Sequence, residues 1–243
     1  MFQVRQQYAQ RVREAIDTLA EAFGYTFAGD MLIALDRNVS FFEDAPFMQA
    51  FNGEAQDDTE KGLVWRVHVL CWCAANSLRV PGDFVECGVF RGFSAKVAAR
   101  YLDFGSQQRQ WYLYDTFTGI PADQLNPGRV SPPYYEEPGL YESVQKRFAG
   151  YPNVHVLRGR VPEVLAARAP ERVAFLHLDL NSAIAEAAAL EFFAARFAPG
   201  AFVLLDDYGW RAYREQKLVA DRFFGARGRP IVELPTGQGL VIV

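Results

Sequence analysis

Residues 83–94 of this 243-residue chain read Asp83-Phe-Val-Glu86-Cys-Gly88-Val-Phe-Arg-Gly92-Phe-Ser94. A short apolar run ends near the carboxylate of Glu86, two glycines follow, and Ser94 begins an apolar pattern of helical period. This order predicts a strand, a tight glycine turn and the N-terminus of a helix. Such a turn surrounds a small ligand with backbone N–H groups and the positive end of a helix dipole.

The carboxylate at the end of the strand narrows the choice of ligand. Glu86 would repel a phosphate and attract an amine or a sulfonium. The turn also lacks the G-x-G-x-x-G spacing of nicotinamide-binding folds, because Phe90 stands in its middle. The segment therefore favours S-adenosylmethionine over a dinucleotide. A nicotinamide oxidoreductase, or a turn whose glycines only permit close packing, is the alternative.

Composition excludes several classes of protein. Half of the residues are hydrophobic, the net charge is −4, and acidic and basic residues are interspersed. A hydrophobic core is therefore expected, and nucleic acid is not an expected partner. The three cysteines lack zinc-ligand spacing and are predicted to be reduced thiols. Because residues 1–7 contain no secretion signal and no apolar run is long enough to span a membrane, we expect a cytoplasmic protein, which could form a homo-oligomer.

Residues 1–80 are predicted to form an N-terminal helical cap, and residues 81–243 the main domain. Apolar residues recur at helical spacing from Tyr8 until Gly24, and again from the acidic cap at Asp57. Between these two predicted helices, the segment that contains Pro46 and Gly53 is expected to be irregular.

From Asp83 onward, predicted strands alternate with predicted helices. The strands are expected at 83–87, 111–115, 154–157, 173–179, 201–206, 230–234 and 239–243. The helices are expected at 92–103, 141–149, 184–197 and 211–225. This alternation predicts an α/β fold with a mainly parallel seven-stranded sheet. The last two strands should pair antiparallel because the turn between them is too short for a crossover. This outline is typical of a class I methyltransferase, a Rossmann-like fold.

The loop at 119–140 is rich in proline, glycine and tyrosine and follows the second predicted strand of this sheet. Ligands bind at the carboxyl edge of open α/β sheets, which is where this loop should lie. Long loops inside compact domains are often functional. We interpret the segment as a substrate lid, with an unspecialised surface loop as the alternative.

Asp115 ends the second predicted strand and should lie beside the glycine turn. An acid in that position accepts hydrogen bonds from the ribose hydroxyls of a nucleoside, which is the role predicted for Asp115. A local role as a turn cap is the alternative. After the third predicted strand, the segment Gly159-Arg160-Val161 is expected to lie against the adenine.

Three more acids follow the next two predicted strands. Asp179 ends one strand, and Asp206 and Asp207 end the other. If these strands are adjacent and parallel, the three carboxylates converge at one edge and repel each other unless a cation compensates. Oxygen ligands at an open site suit Mg²⁺ better than zinc. The alternative is that one acid caps a helix and another faces solvent.

Several motifs together resemble the macrocin O-methyltransferase family, from about residue 60 to the C-terminus. They are Gly82-Asp-Phe-Val-Glu-Cys-Gly-Val-Phe-Arg-Gly92, Asp115-Thr-Phe-Thr-Gly-Ile-Pro121, His177-Leu-Asp179, Pro199-Gly-Ala-Phe-Val-Leu-Leu-Asp-Asp-Tyr-Gly209 and Leu234-Pro-Thr-Gly-Gln-Gly239.

This resemblance implies a class I fold and methylation of a hydroxyl on a sugar or natural product, with S-adenosylmethionine and Mg²⁺. The acceptor would be a glycoside, polyol or phenol. The metal would be held by Asp179, Asp206 and Asp207. The residues implied at the cofactor are Glu86, Gly88, Arg91, Gly92, Ser94, Asp115, Phe117, Gly159, Arg160, Val161 and Asp179.

Two positions depart from the family pattern. The family usually has D-x-D-x-Y after the strand, whereas this chain has Asn181 for the second acid and Ala183 for the tyrosine. Asparagine cannot accept a proton at neutral pH. Another group could serve as the base, metal coordination could acidify the acceptor sufficiently, or catalysis could be lost. The last case would leave an S-adenosylmethionine-binding protein without transferase activity.

His177 and Tyr208 are the further catalytic candidates, together with Asp179. On a strand, His177 faces the same side as Asp179, two residues later. The alternative for His177 is a hydrogen-bonded core histidine. Tyr208 follows the acidic pair and could contact substrate, although the start of a solvated helix would explain it equally well.

Overall fold

The computed structural model describes residues 6–24 and 27–243. The first five residues, on which the expectation of a missing secretion signal partly rests, lie outside these ranges. The chain forms two compact units, Met1–Val69 and Leu70–Val243. Within the described ranges, no helix combines the length and the apolar character that a bilayer crossing needs.

Helices and a small hairpin build the first unit. Its elements are α1 (Ala9–Phe23), β1 (Phe27–Gly29), β2 (Leu32–Ala34), α2 (Ala45–Glu54), α3 (Asp58–Gly62) and the start of α4 (Val64–Ser77). The first helix ends before Gly24, as predicted. Edge-to-face aromatic contacts form the core of this unit, for example Phe41 against Phe27 and Phe47.

The prediction of an irregular segment from Gly24 to about Asp58 is wrong, because β1, β2 and α2 form there. The Asp44 carboxylate accepts a hydrogen bond from Phe47 N at 3.0 Å and caps this helix. Pro46 lies in its first turn, where no intrahelical N–H bond is lost, and Gly53 lies in its last turn. The predicted second helix is divided into α3 and α4 at Leu63.

The second unit continues with β3 (Asp83–Cys87), α5 (Phe93–Tyr101), β4 (Trp111–Asp115), α6 (Leu140–Phe148), β5 (Val154–Arg158), α7 (Glu163–Ala167), β6 (Val173–Leu178), α8 (Ala183–Phe193), β7 (Phe197–Leu205), α9 (Arg214–Gly225), β8 (Val232–Glu233) and β9 (Gly239–Ile242). All seven predicted strands are present. The short helix α7 was not predicted, and β7 begins four residues before the predicted strand.

The seven strands of this unit form one sheet in the order β5-β4-β3-β6-β7-β9-β8. β3 pairs in parallel with both β4 and β6, and β6 pairs in parallel with β7. β9 runs antiparallel to its neighbours β7 and β8, as predicted from the short turn. The chain therefore reverses its direction of strand addition between β3 and β6, which is the switch point where open α/β sheets bind ligands.

Residues on both faces of β3 and β6 are buried, as expected for central parallel strands covered by helices. Cys71, Cys73 and Cys87 are buried free thiols, in agreement with the prediction of reduced cysteines.

Candidate active site

The glycine turn after β3 packs directly against the end of β6. Gly88 has a φ of +89°, and a Cβ there would overlap the carbonyl oxygen of Asp179. Asp179 N donates to Cys87 O at 2.8 Å across the same contact. Gly88 is therefore required both for its left-handed backbone and for the close approach of the two strand ends.

Asp115 fixes this turn from the neighbouring strand. Its Oδ2 accepts hydrogen bonds from Val89 N at 2.7 Å and Phe90 N at 2.8 Å, and its Oδ1 accepts from Phe117 N at 2.7 Å. Phe90 has a φ of +47°, a left-handed conformation that is unusual for a large side chain and is held here by the turn. Oδ2 of Asp115 thus uses both of its lone pairs in the turn. Thr116 Oγ1 lies 3.4 Å from Oδ1 but gives its one proton to Gly119 O at 2.6 Å, so Oδ1 keeps a lone pair that can accept a hydrogen bond from a ligand.

A cavity opens at this edge of the sheet, between the ends of β3, β4, β5 and β6. Among the predicted cofactor residues, those that line it are Gly88, Asp115, Gly159, Val161 and Asp179. The remaining predicted cofactor residues do not line it: Glu86, Arg91, Gly92, Ser94, Phe117 and Arg160. Arg160 is paired instead with Asp123, and Arg91 with Glu137.

Glu86 does not line this cavity and belongs to a buried row of ionisable groups. Its Oε1 is 3.4 Å from His177 Nδ1, and His177 Nε2 is 3.4 Å from Asp206 Oδ1. Burial raises the pKa of Glu86, although His177 opposes that shift. Burial disfavours the imidazolium, but hydrogen bonding and charge from Asp206 and Glu86 outweigh it and raise the pKa of His177 to about 10. His177 is therefore a protonated, buried residue that links the two carboxylates.

Asp179, Asp206 and Asp207 converge as the strand order predicted. Each offers a carboxylate oxygen, and the three oxygens lie within 4.8 Å of one another. Gln238 Nε2 donates to Asp206 Oδ1 at 2.9 Å, and Asn181 Nδ2 donates to Asp179 Oδ1 at 3.1 Å. An all-oxygen set of this kind is suited to a hard divalent cation such as Mg²⁺.

The loop at 119–140 forms one wall of the cavity, to which it contributes Ile120, Pro121, Gln124 and Tyr135. Gln124 is buried. Its side-chain Nε2 donates to Val161 O at 2.6 Å, and its backbone carbonyl oxygen accepts a hydrogen bond from Ser182 Oγ at 2.5 Å. The loop thus joins the two sides of the cavity, and its role as a substrate lid stays a prediction.

Beyond Gln124, a buried network of hydrogen bonds anchors the loop to α8 and α9. Asn126 Nδ2 donates to Gln216 Oε1 at 2.8 Å, and Asn126 Oδ1 accepts from Ala183 N at 2.9 Å. Gln216 Nε2 in turn donates to Glu186 Oε1 at 3.1 Å. Sequence reasoning missed this network because its members lie far apart in the chain and become neighbours only after α8 and α9 pack together.

Tyr208 is placed differently from the prediction. Its hydroxyl donates to Asp221 Oδ1 at 2.6 Å, and Lys217 Nζ lies 3.6 Å from the centre of its ring. Tyr208 is not among the residues that line the cavity described above. These contacts assign the Tyr208 hydroxyl a structural partner on α9.

Glu186 provides a test of the electrostatics of the site. Burial, with Asp207 nearby, raises the pKa of this carboxyl from its ordinary 4.5 to about 8. Between these two values the folded protein binds one more proton than the unfolded chain, so this group makes the protein less stable as pH rises. Glu186→Gln keeps the acceptor for Gln216 and removes the titration. We expect the metal-free variant to exceed the wild type in unfolding free energy by about 2–4 kcal/mol near pH 9.

The wild type and the Glu186→Gln variant should differ little in unfolding free energy near pH 5, where residue 186 is neutral in both folded proteins. Urea titrations at the two pH values with EDTA present measure the difference. Glu191→Gln, on the exposed side of α8, is the control and should show no comparable pH-dependent gain. An unchanged Glu186→Gln curve near pH 9 would mean that Glu186 is ionised at little cost.

Fold and site together define a class of protein. The sheet order, the antiparallel C-terminal strand, the glycine turn and Asp115 at the switch point are those of the S-adenosylmethionine-dependent class I methyltransferases. The sequence profile described as macrocin-O-methyltransferase (TylF) matches residues 66–228. The chain belongs to this O-methyltransferase family, so a nicotinamide oxidoreductase is excluded.

Two relatives and one solved structure illustrate the similarity. Mycinamicin III 3''-O-methyltransferase of Micromonospora griseorubida is 31% identical over 165 residues, 62% of this chain and 65% of that enzyme, so the match spans slightly less than two thirds of its length. A tetracenomycin-C rhamnosyl 4'-O-methyltransferase of Streptomyces olivaceus is 29% identical over 201 residues, 72% of this chain and 77% of that enzyme. The O-methyltransferase NovP superposes with a TM-score of 0.64 at 18% identity, covering 96% of this chain and 98% of its own.

Proposed function

We propose that this protein transfers the methyl group of S-adenosylmethionine to a hydroxyl of a sugar on a natural product, with the assistance of Mg²⁺. The observation that carries the proposal is the position of Asp179, which both lines the cavity and belongs to the three-carboxylate cluster. A hydroxyl held at the cluster would therefore be next to a cofactor in the cavity.

The cavity residues fit this cofactor. In this proposal Asp115 accepts hydrogen bonds from the ribose, and Gly159 and Val161 contact the adenine. The support is that all three residues line the cavity. When bound, S-adenosylmethionine supplies an electrophilic methyl group on a sulfonium. The carboxylate-rich edge of the sheet favours that positive charge. The loop wall from Ile120 to Gln124 reduces access of water to the reacting atoms.

The three carboxylates fit a divalent cation because their mutual repulsion needs compensation and their oxygens are hard ligands. Held by them, Mg²⁺ would acidify the acceptor hydroxyl and orient its oxygen. Asp206 is kept in place by Gln238 and His177, and Asp179 by Asn181. Asp179 is a carboxylate that both lines the cavity and belongs to the cluster, so we propose that Asp179 or solvent takes the acceptor proton.

The direct test is turnover with the acceptors of the two relatives. Mycinamicin III and 8-demethyl-8-(2,3-dimethoxy-α-L-rhamnosyl)-tetracenomycin C would be incubated with S-adenosylmethionine and Mg²⁺, and products analysed by mass spectrometry. We expect one added methyl group on at least one acceptor and loss of that product with EDTA. Product formation that is undiminished by EDTA would remove the metal from the mechanism.

A second candidate function is cofactor binding without transfer. It is favoured by Asn181, whose amide donates to Asp179 where the family pattern has an acid. Tight S-adenosylmethionine binding in calorimetry, with no product from a broad panel of hydroxylated compounds, would select this candidate over the first.

Asp115→Asn should weaken cofactor binding. An amide NH₂ replaces one of the two acceptor oxygens that hold the turn, so a donor faces a backbone donor and the turn shifts. We expect the dissociation constant for S-adenosylmethionine to rise by roughly 10- to 100-fold, measured by calorimetry. The matched control is Asp103→Asn, at an exposed acid after α5 that does not line the cavity, which should bind the cofactor like the wild type. Equal binding by both variants would refute the role of Asp115.

A further inference from the structure

Two tyrosines from different segments approach the acidic cluster. Tyr135 lies in the loop, and Tyr213 lies just before α9. Tyr135 lines the same cavity as Asp179. Two backbone hydrogen bonds fold the chain back between Asp207 and Tyr213: Trp210 N donates to Asp207 O at 3.1 Å, and Tyr213 N donates to Trp210 O at 2.9 Å. The electrostatic interaction of both phenols with Asp179 and Asp207 agrees with this placement. Neither tyrosine was singled out as a site residue by sequence reasoning, because no short motif connects them.

Their hydroxyls are not committed to the fold. Tyr114 donates to Arg168 O at 2.6 Å and Tyr208 donates to Asp221 Oδ1 at 2.6 Å. By contrast, within residues 6–24 and 27–243 no hydrogen-bond partner of the Tyr135 or the Tyr213 hydroxyl is found, although both side chains are half-buried. A phenol that is partly removed from water normally finds a partner, so these two hydroxyls are available to a ligand.

The rings are nevertheless held in place. The Tyr135 ring packs edge-on against Phe90, with centroids 5.2 Å apart, and against Tyr134, with centroids 4.8 Å apart. The Arg129 guanidinium lies 5.5 Å from the centre of the Tyr213 ring and donates to the carbonyl oxygen of Ala212. Arg129 thereby ties the loop to the segment that carries Tyr213. Neighbouring side chains thus hold the rings of both tyrosines in place.

The two phenols are donors and not bases. The ordinary pKa of a phenol is about 10, so both hydroxyls carry their proton at neutral pH. A protonated phenol donates equally well to a hydroxyl and to an ether oxygen. An anionic group would be repelled by the nearby carboxylates, so the ligand that fits is a neutral ring bearing several oxygens.

We infer that Tyr135 and Tyr213 form the acceptor subsite, where they donate hydrogen bonds to the ring oxygens or substituents that flank the methylated hydroxyl of a neutral sugar. The aromatic wall of Phe90, Tyr134 and Tyr135 contacts the apolar C–H face of that sugar. The inference rests on the proposed function, because it names what selects the acceptor in the same site. It makes Tyr135 and Tyr213 specificity-determining residues.

Tyr135→Phe and Tyr213→Phe remove one hydroxyl each and keep the ring. We expect each to raise the KM for the acceptor roughly 3- to 10-fold, with a smaller change in kcat and with an unchanged dissociation constant for S-adenosylmethionine. The acceptor used is whichever of mycinamicin III and the tetracenomycin rhamnoside the wild type methylates faster. Tyr151→Phe is the control, because its ring packs against Phe148 and Lys96 and does not line the cavity.

An acceptor KM that is unchanged in both variants overturns the inference while the proposed function stands. A parallel loss of cofactor affinity also overturns it, because it would place the phenols at the cofactor. If the wild type methylates neither acceptor, the proposed function fails for them. The subsite is then tested by calorimetry with methyl α-L-rhamnopyranoside in the presence of S-adenosylhomocysteine and Mg²⁺. Weaker binding by the two variants than by Tyr151→Phe supports it, and equal or absent binding overturns it.

Discussion

Asp207→Asn should reduce magnesium-supported methyl transfer by on the order of 100- to 1,000-fold. The substitution keeps the size of the side chain but replaces a charged oxygen of the three-carboxylate cluster by an NH₂ group, which repels a cation. Asp207 does not line the cavity, so the dissociation constant for S-adenosylmethionine should stay within about twofold of the wild-type value. Steady-state rates at several Mg²⁺ concentrations, with calorimetry for the cofactor, measure both effects.

The matched control is Asp221→Asn. This acid lies on α9, accepts from Tyr208 and is paired with Lys217, outside the cluster. It should retain the rate and the Mg²⁺ dependence of the wild type. Wild-type turnover by the Asp207 variant, or a requirement for Mg²⁺ that is identical in both proteins, would contradict the metal site.

Gly88→Ala should be the most destabilising single methyl group that can be added to this site. The new Cβ would overlap the carbonyl oxygen of Asp179, and the φ of +89° is itself unfavourable for alanine. Neither atom can move easily, because Asp179 N is hydrogen-bonded to Cys87 O in the centre of the sheet. We expect a loss of at least ~3 kcal/mol in unfolding free energy and no measurable cofactor binding.

Gly128→Ala separates the steric overlap of an added Cβ from the strain of a positive φ. Gly128 also has a positive φ, of +72°, but no atom lies within 4 Å of its added Cβ. It should therefore cost only about 1 kcal/mol and leave cofactor affinity unchanged. If the two variants are equally stable in urea titrations, the close packing of the turn against β6 is not a stabilising feature.

The positions of the acids could be predicted from the sequence because they depend on one local rule. Each strand is a short apolar run, and the residue that ends it comes to the carboxyl edge of a parallel sheet. Asp115, Asp179 and Asp206 follow such runs directly. Their convergence needed only the further assumption that the strands are adjacent, and the observed order confirms that assumption.

Other features did not follow from local rules. Pro46 led to the expectation of an irregular segment. A proline is tolerated in the first turn of a helix, however, and Pro46 lies in the first turn of α2. Gln238 belongs to a motif that supports the family resemblance, but its hydrogen bond to Asp206 depends on β9 lying beside β7. Tyr208, chosen because it follows the acidic pair, points its hydroxyl at α9 instead.

The sequence alone predicts the sheet, the glycine turn and the identity of the acids at the edge, since hydrophobic periodicity and strand termini are properties of neighbouring residues. Which polar groups meet those acids depends on how segments that are distant in the chain pack together. The Gln124–Asn126 anchor and the paired approach of Tyr135 and Tyr213 join segments about 60 to 90 residues apart. Side chains that are so distant in the chain become partners only when the packing of helices and loops removes them from water. A local sequence pattern cannot predict such a pairing, because the two partners belong to different segments.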